Sequence, residues 1–339
     1  MNEAELKGLH SNQRLLVQEL QARGVDVRIL RHEMELLEAN YGSHRELILD
    51  RDSSINPYPA SVIAGDKALA KEFLKAAGIS VPMGDNFNGE QITEALLFAQ
   101  RIGFPLIAKP CFGSHGDNVH TDLENLSMVD KAIGEIVDSI GKRREFLIEE
   151  QFEGAEHRVF ITKRGDYAVL QRDPAHVIGD GTKTIEQLAN DETYKRTHPR
   201  SNSLCPILID NEVSKFLAKH GMALNSVPKQ NQKVYLRRVS NVAKGGVCED
   251  FTDKVHPSVI DIAKRALAVF PGMPYAGVDI LIKDSSQQQT PNSYVVLEVN
   301  SVPGIHMHIN PGIGQARNVA KYLADMMFPE TTGVGYGRK

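Results

Sequence analysis

Three consecutive stretches, YAGVDILIK (275–283), DSSQQQTPNS (284–293) and YVVLEVNSVPG (294–304), decide how this chain is read. The outer two have the apolar, β-branched composition of strands, and the middle one is a polar tract suited to a hairpin turn. Side chains at i and i+2 of a strand share a face, so Glu298 and Asn300 project together. A hairpin pairing brings Asp279 beside them. Two carboxylates and an amide oxygen form a hard-oxygen set suited to Mg²⁺, with Mn²⁺ as the alternative. The competing reading leaves Glu298 and Asn300 as solvated polar groups at the end of an edge strand. Charge closing so apolar a strand weighs against solvation alone.

Outward from this hairpin, helices and strands are mixed rather than strictly alternating, which points to an α+β fold. Leu15, Leu16, Val17 and Leu20 on a rough helical period predict a helix over 11–25, stopped by Gly24. VDVRIL (25–30) and ELILD (46–50) predict strands, with a second helix over 33–40 between them and a linker at 53–59. Further helices are expected near 66–77, 91–101, 127–140, 256–270 and 314–327. FPLIAKP (104–110) and FLIEE (146–150) predict strands, and HRVFIT (157–162) with YAVLQR (167–172) a hairpin.

Three other segments carry chemistry. Lys109 closes the strand LIAK and needs a partner, because an unpaired buried ammonium is costly. The loop after it holds Gly113, Ser114 and Gly116, whose backbone N–H groups could approach phosphate oxygens, although no Walker A lysine follows. A plain strand-to-turn junction with a snorkelling lysine is the competing reading. In LIEEQFEGAEHR (147–158) the crowded carboxylates, Glu149 and Glu156 among them, suit the amine and ribose hydroxyls of an adenosine; an exposed charged turn is the alternative. VYLRRVSNVAKGG (234–246) reads as a basic strand entering a Gly-Gly loop, where Arg237 or Arg238 could neutralise charge on a transferred phosphoryl group.

Together with RDPAHVIGDGTKTIEQL (172–188), these segments resemble the ATP-grasp superfamily over roughly 60–330, particularly the ATP-grasp portions of cyanophycin synthetase and of bifunctional glutathione-synthesising enzymes. The resemblance implies two α/β lobes clasping ATP: a short N-terminal α/β unit over 1–60, a first lobe over 61–148, and a second over 149–339 with a helical insert near 186–232. It implies that Lys67 and Lys109 meet the ATP phosphates and that Glu149 meets the adenine amine. Gln151 and Phe152 would form the backbone hinge, and Glu156 would take the ribose. Arg158 and Arg237 would lie near the transferred phosphoryl group, and Asp279, Glu298 and Asn300 would hold Mg²⁺. Two departures stand out. The loop after Lys109 reads GSHGDN where these relatives usually carry a second glycine after a single spacer. The N-terminal 60 residues are also far shorter than the corresponding regions of those relatives.

The function so implied is an ATP-dependent carboxylate–amine ligase working through an acyl phosphate on amino acids or a short peptide. A catalytically silent ATP-binding module regulating a partner enzyme is the alternative, and a phosphotransferase or carboxylase on the same fold a third. His306 and His308 are candidates for substrate contacts. With 39 Lys+Arg against 43 Asp+Glu, the net charge of -4 gives no reason to expect nucleic acid or a membrane surface as partner. Cys111, Cys205 and Cys248 form no CxxC pair, and a polar N-terminus carries no signal-peptide core, so a cytoplasmic protein is expected. The short N-terminal region suggests a small or extended substrate, and a homodimer whose interface could share it.

Overall fold

The computed structural model describes residues 3–50, 52–112, 118–198 and 204–333. Helices α1 (Glu3–Lys7) and α2 (Ser11–Ala22) lead into a four-stranded antiparallel meander. Its strands are β1 (Asp26–Arg31), β2 (Leu36–Tyr41), β3 (His44–Leu49) and β4 (Asp52–Ser53). The helix expected over 33–40 is therefore wrong: a turn at 32–35, with Glu35 at φ 51°, precedes strand β2. Leu37 and Ala39 are fully buried, while the Glu38 carboxylate between them bonds Arg28 and Arg45 on the neighbouring strands. That period of two beats the helical propensity of Glu, Leu and Ala.

Helices α3 (Tyr58–Gly65) and α4 (Lys67–Ala76) follow, and then a second four-stranded sheet. It is built from β5 (Gly84–Phe87), β6 (Leu106–Pro110), β7 (His120–Leu123) and β8 (Phe146–Glu150), in the order β5-β8-β6-β7. Helices α5 (Ile92–Ile102) and α6 (Leu126–Ile140) cover one face around Phe98, Ile133 and Phe146.

The largest sheet begins with β9 (Ala155–Thr162) and β10 (Tyr167–Asp173), a hairpin as expected. The chain leaves it through β11 (His176–Ile178), α7 (Ile185–Thr197), α8 (Asn211–Lys219) and β12 (Lys233–Tyr235), which form a small insert around Val177, Ile185, Val213, Leu217 and Val234. A capping box between Thr184 and Gln187 starts α7. The chain then returns through β13 (Val247–Asp250), α9 (Pro257–Ala268), β14 (Tyr275–Ile282) and β15 (Tyr294–Asn300), giving the order β13-β10-β9-β14-β15. A short α10 (His306–Ile309) and α11 (Val319–Met327) close it. The basic strand expected over 234–246 is only the last part of β12, after which the chain bends. Among the described residues no helix is long and apolar enough to cross a membrane.

Alternation along this sheet assigns its two faces. Val159, Ile161, Ala276, Val278 and Ile280 pack against α9 and also against Ala60, Ala64 and Leu74 of α3 and α4. Phe160, Ala168 and Tyr275 face the opposite way and share a core with α11 and the N-terminal unit. That unit thus completes the large sheet, in keeping with its being too small to stand alone. We keep 61–148 and 149–339 as proposed lobes; α3 and α4 nevertheless bury their apolar sides on the second. Residues 151–154 connect β8 to β9, and Gly154 passes so close to β14 that a Cβ would lie 2.8 Å from the Ile282 carbonyl.

The N- and C-terminal segments are tied by charge. Arg23, buried, bonds Glu19, Asp325, the Thr331 hydroxyl and the Lys321 carbonyl. Nearer the surface, His44 sits between Glu46 and Glu330, and its bonds to these carboxylates raise its pKa above the ordinary histidine value. A raised folded-state pKa stabilises fully below the unfolded value and is lost as pH rises through the folded one. His44→Gln is therefore expected to lower Tm near pH 6 by about 1–3 °C, as for a partly exposed ion pair, and to match the parent at pH 9. Thermal melts of both proteins across that range check it; an unchanged gap at pH 9 contradicts the assignment.

Candidate functional site

On the face shared with the N-terminal unit, the large sheet carries polar rather than apolar side chains toward one end. Glu156 and Arg158 precede Phe160 on β9 by whole alternations, and Arg172 follows Ala168 on β10 in the same way. Asp279 lies on β14 directly across from Arg158. The register of β15 explains how Glu298 joins them. Ile280 pairs with Val296 but Asp279 pairs with Glu298, so Leu297 is an extra residue in β15. This bulge reverses the alternation. Without it Glu298 would point with Val296 into the apolar core; with it, Glu298 and Asn300 turn to the polar face while Val299 stays buried.

Asp279, only 2% exposed, accepts from both Nε and Nη2 of Arg158 (2.7 Å for the latter) and from Arg172 Nη2 at 2.7 Å. Burial works against its charge, but the two guanidiniums overcome this and hold its carboxyl well below the usual range. Glu298 behaves oppositely: burial and the neighbouring Asp279 raise it. Its nearest cations, Arg158 Nη2 at 3.9 Å and Lys67 Nζ at 4.0 Å, stand beyond hydrogen-bond distance. Asn300 Nδ2 donates to Glu298 Oε1 at 3.0 Å, leaving the amide oxygen for another ligand. Among the described residues no group of three or more His, Cys, Asp or Glu side chains forms a metal cluster. The set is two carboxylates and an amide, and Glu298 is the under-compensated charge; this chemistry fits a hard divalent ion.

Glu149 on β8 is 1% exposed and takes Lys71 Nζ on one oxygen and Lys109 Nζ on the other. Burial pushes its carboxyl up, but the two ammonium groups outweigh burial and bring it down to about 2. Lys71, on α4, is lowered to about 8 by burial, against the pull of Glu149 and with the push of Lys109. Both Glu149 oxygens are held in the interior by these ammonium groups, and the contact of its side chain with an adenine amine stays a proposal. Lys109 does have the partner that its position demanded. Lys71 was not anticipated; its spacing of four from Lys67 places it one turn further along the same helix, a signal that was available.

Glu156 takes Arg172 on one oxygen and the Ser240 hydroxyl on the other. The Gln151 side chain bonds both the backbone N–H and the carboxylate of Asp122 (2.7 and 2.9 Å), tying the lobe junction to β7. The Phe152 ring lies 5.2 Å from Lys283 Nζ. Ser114 and Gly116 lie outside the described residues. Arg237 is not joined to Asp279 by any hydrogen bond or ion pair among them. It is 2% exposed inside the insert, donating to Glu212 at 2.6 Å, Asp210 at 3.2 Å and the Leu208 carbonyl. Arg238 instead reaches the first lobe at Asp122, 3.1 Å away, and Lys219 reaches Glu124 at 2.8 Å. His308 is core rather than a substrate contact: it is fully buried against Phe160, and burial, with Arg158 nearby, takes its pKa down to about 3. His306 opens α10, its backbone N–H held by Asn12 of α2.

A family model described as carbamoyl-phosphate synthase L chain, ATP binding domain, matches residues 66–165. Cyanophycin synthetase of Geminocystis herdmanii is 31% identical over 96% of this chain and 38% of its own length. The glutathione biosynthesis bifunctional protein of Enterococcus faecalis is 30% identical over 91% of this chain and 41% of its own. The chain thus spans less than half the length of these relatives. The crystal structure of a bifunctional glutathione synthetase from Pasteurella multocida superimposes with a TM-score of 0.69 at 27% identity, covering 95% of this chain and 44% of that one.

Proposed function

This chain has the ATP-grasp fold, and from that premise we propose that it is an ATP-dependent carboxylate–amine ligase acting on an amino acid or short peptide. One observation carries the reading: the bulge that turns Glu298 and Asn300 onto the face of Asp279, beside Arg158 and Lys67. A pure nucleotide binder has no need of that set.

In this reading Lys67 and Lys109 bind the phosphates, Glu156 orients the ribose, and residues 149–152 line the adenine through their backbone. A carboxylate has about four lone-pair directions, so Glu156 can accept ribose hydroxyls while keeping Arg172 or Ser240. Asp279, Glu298 and Asn300 would hold Mg²⁺, which supplies charge neutralisation to the phosphates. The substrate carboxylate oxygen attacks the γ-phosphorus, the bond to the bridging oxygen breaks, and ADP departs. Arg158 is placed to stabilise the charge on the transferred group. An amine then attacks the acyl carbon, inorganic phosphate leaves, and the amine loses its proton to solvent. Arg237 takes part only if it is released from Asp210 and Glu212; in its present place it orders the start of α8.

Incubation with ATP, Mg²⁺ and a panel of amino acids and dipeptides is expected to release ADP and phosphate in equal amounts, only when both an acyl donor and an amine are present. Hydroxylamine should replace the amine and give a hydroxamate visible by mass spectrometry. Formation of AMP and pyrophosphate would overturn the acyl-phosphate route, and no nucleotide turnover with any donor would return the chain to a silent binding module.

A further inference from the structure

One guanidinium joins the two halves of the polar strip. Arg172 Nη2 donates to Glu156, proposed to take the ribose, and at 2.7 Å to Asp279, proposed to take the metal. The chain of contacts is continuous: Ser240 to Glu156, Glu156 to Arg172, Arg172 to Asp279, and Asp279 to Arg158. The Arg172 side chain is 14% exposed, and its Nε is a buried donor with no hydrogen-bond partner among the described residues. Arg172 holds two carboxylates on a single Nη2. One nitrogen shared by two carboxylates can tip toward either, so the bridge has a geometry in which the state of one carboxylate is felt by the other.

We propose that Arg172 is a positioning residue that couples nucleoside binding to divalent-metal binding. The inference rests on the ligase reading of this same strip. A divalent cation beside Asp279 repels the Arg172 guanidinium and competes for the oxygen it holds, which shifts its hydrogen bonding toward Glu156 and fixes that carboxylate for ribose hydroxyls. By linkage, a nucleoside that orders Glu156 and Arg172 raises the affinity of the Asp279 site for the ion by the same factor. This coupling runs through the protein and is additional to any direct contact between metal and phosphate.

Adenosine separates the two routes, because it has no phosphates to hold a metal. Its affinity is measured by calorimetry with and without saturating Mn²⁺, and Mn²⁺ affinity by electron paramagnetic resonance with and without adenosine. In the parent protein each ligand is expected to tighten the other by about fivefold, the lower end of ordinary coupling between sites. Arg172→Met should bind both while the factor falls to about one, and Arg172→Lys, which keeps the charge but not the two-carboxylate reach of the guanidinium, should recover it only in part. Independent binding in the parent, or full coupling in Arg172→Met, overturns the proposal while leaving the ligase reading intact. Failure of the parent to bind adenosine or Mn²⁺ at all also overturns the proposal, while the ligase reading is decided separately by the turnover assay. If Arg172→Met does not fold, as judged by circular dichroism, Arg172→Lys decides: undiminished coupling in it also counts against the idea.

Discussion

Asp279→Ala is expected to abolish turnover and to destabilise the fold at the same time. The side chain is 3% exposed and bonds two guanidiniums, Arg158 and Arg172, whose own side chains are 9% and 14% exposed. Removing one partner of a buried ion pair leaves uncompensated charge in the interior and costs about 3–5 kcal/mol. In the ligase reading the same change removes a metal ligand, for a loss of about 10³-fold or more in kcat. The two losses can be separated. Replacing all three residues with apolar groups, as Asp279→Leu with Arg158→Met and Arg172→Met, removes the stranded guanidiniums and leaves Glu156 and Glu298, whose side chains are 19% and 30% exposed, to be solvated. A buried ionic cluster exchanged for apolar side chains of similar volume is often neutral or stabilising. Urea unfolding should therefore recover most of the stability lost in Asp279→Ala, while nucleotide turnover stays absent. A triple variant as unstable as Asp279→Ala would show that the cluster contributes geometry and not just charge balance. Turnover in Asp279→Ala within tenfold of the parent would remove the residue from the active site.

Much of this strip was legible in the sequence, for a reason particular to strands. Period-two alternation does not depend on tertiary context, so the joint projection of Glu298 and Asn300 follows from their spacing alone. What alternation cannot reveal is where it breaks. The extra residue Leu297 decides that Glu298 faces Asp279 rather than the core, and LEVN reads the same with or without a bulge. The helix expected over 33–40 failed because Glu, Leu and Ala favour helices in isolation, while pairing with β1 and β3 and the burial of Leu37 and Ala39 settled the matter. Partners were the least legible. Glu149 and Lys109 were each marked as functional, yet nothing in one sequence says that they neutralise each other across paired strands, or that Lys71 joins them from a helix. Arg172 was passed over because an arginine in a hairpin strand is ordinarily a solvated residue; its meaning depends on both Glu156 and Asp279 being within its reach.

The Lys71–Glu149–Lys109 cluster gives the second large effect, with a sign that varies by residue. Two ammonium groups on one buried carboxylate leave a net positive charge in the interior. Glu149→Gln removes the only anion and sets two cations against each other, so a loss of about 3–5 kcal/mol is expected. Lys71→Met instead leaves a neutral Lys109–Glu149 pair and keeps most of the apolar stem volume, so stability should change by less than about 1.5 kcal/mol in either direction. The pH dependence discriminates further. A lysine depressed in the folded state, as Lys71 is to about 8, adds stability above its unfolded value near 10.4 and loses it as pH falls through the folded value. Without Glu149 that depression deepens, so the deficit of Glu149→Gln against the parent should shrink as pH is raised from 7 to about 8, where Lys71 of the parent loses its own proton, and level off above. Lys71→Met should lose the pH-dependent rise shown by the parent over 8–10. Chemical unfolding at several pH values measures both. A Glu149→Gln deficit that is constant with pH would mean that lost packing, not lysine repulsion, sets its size. Nucleotide binding adds the functional half: with one positive charge fewer behind Lys109, a proposed phosphate ligand, Lys71→Met should bind ADP more weakly than the parent, by up to about tenfold, while folding as well.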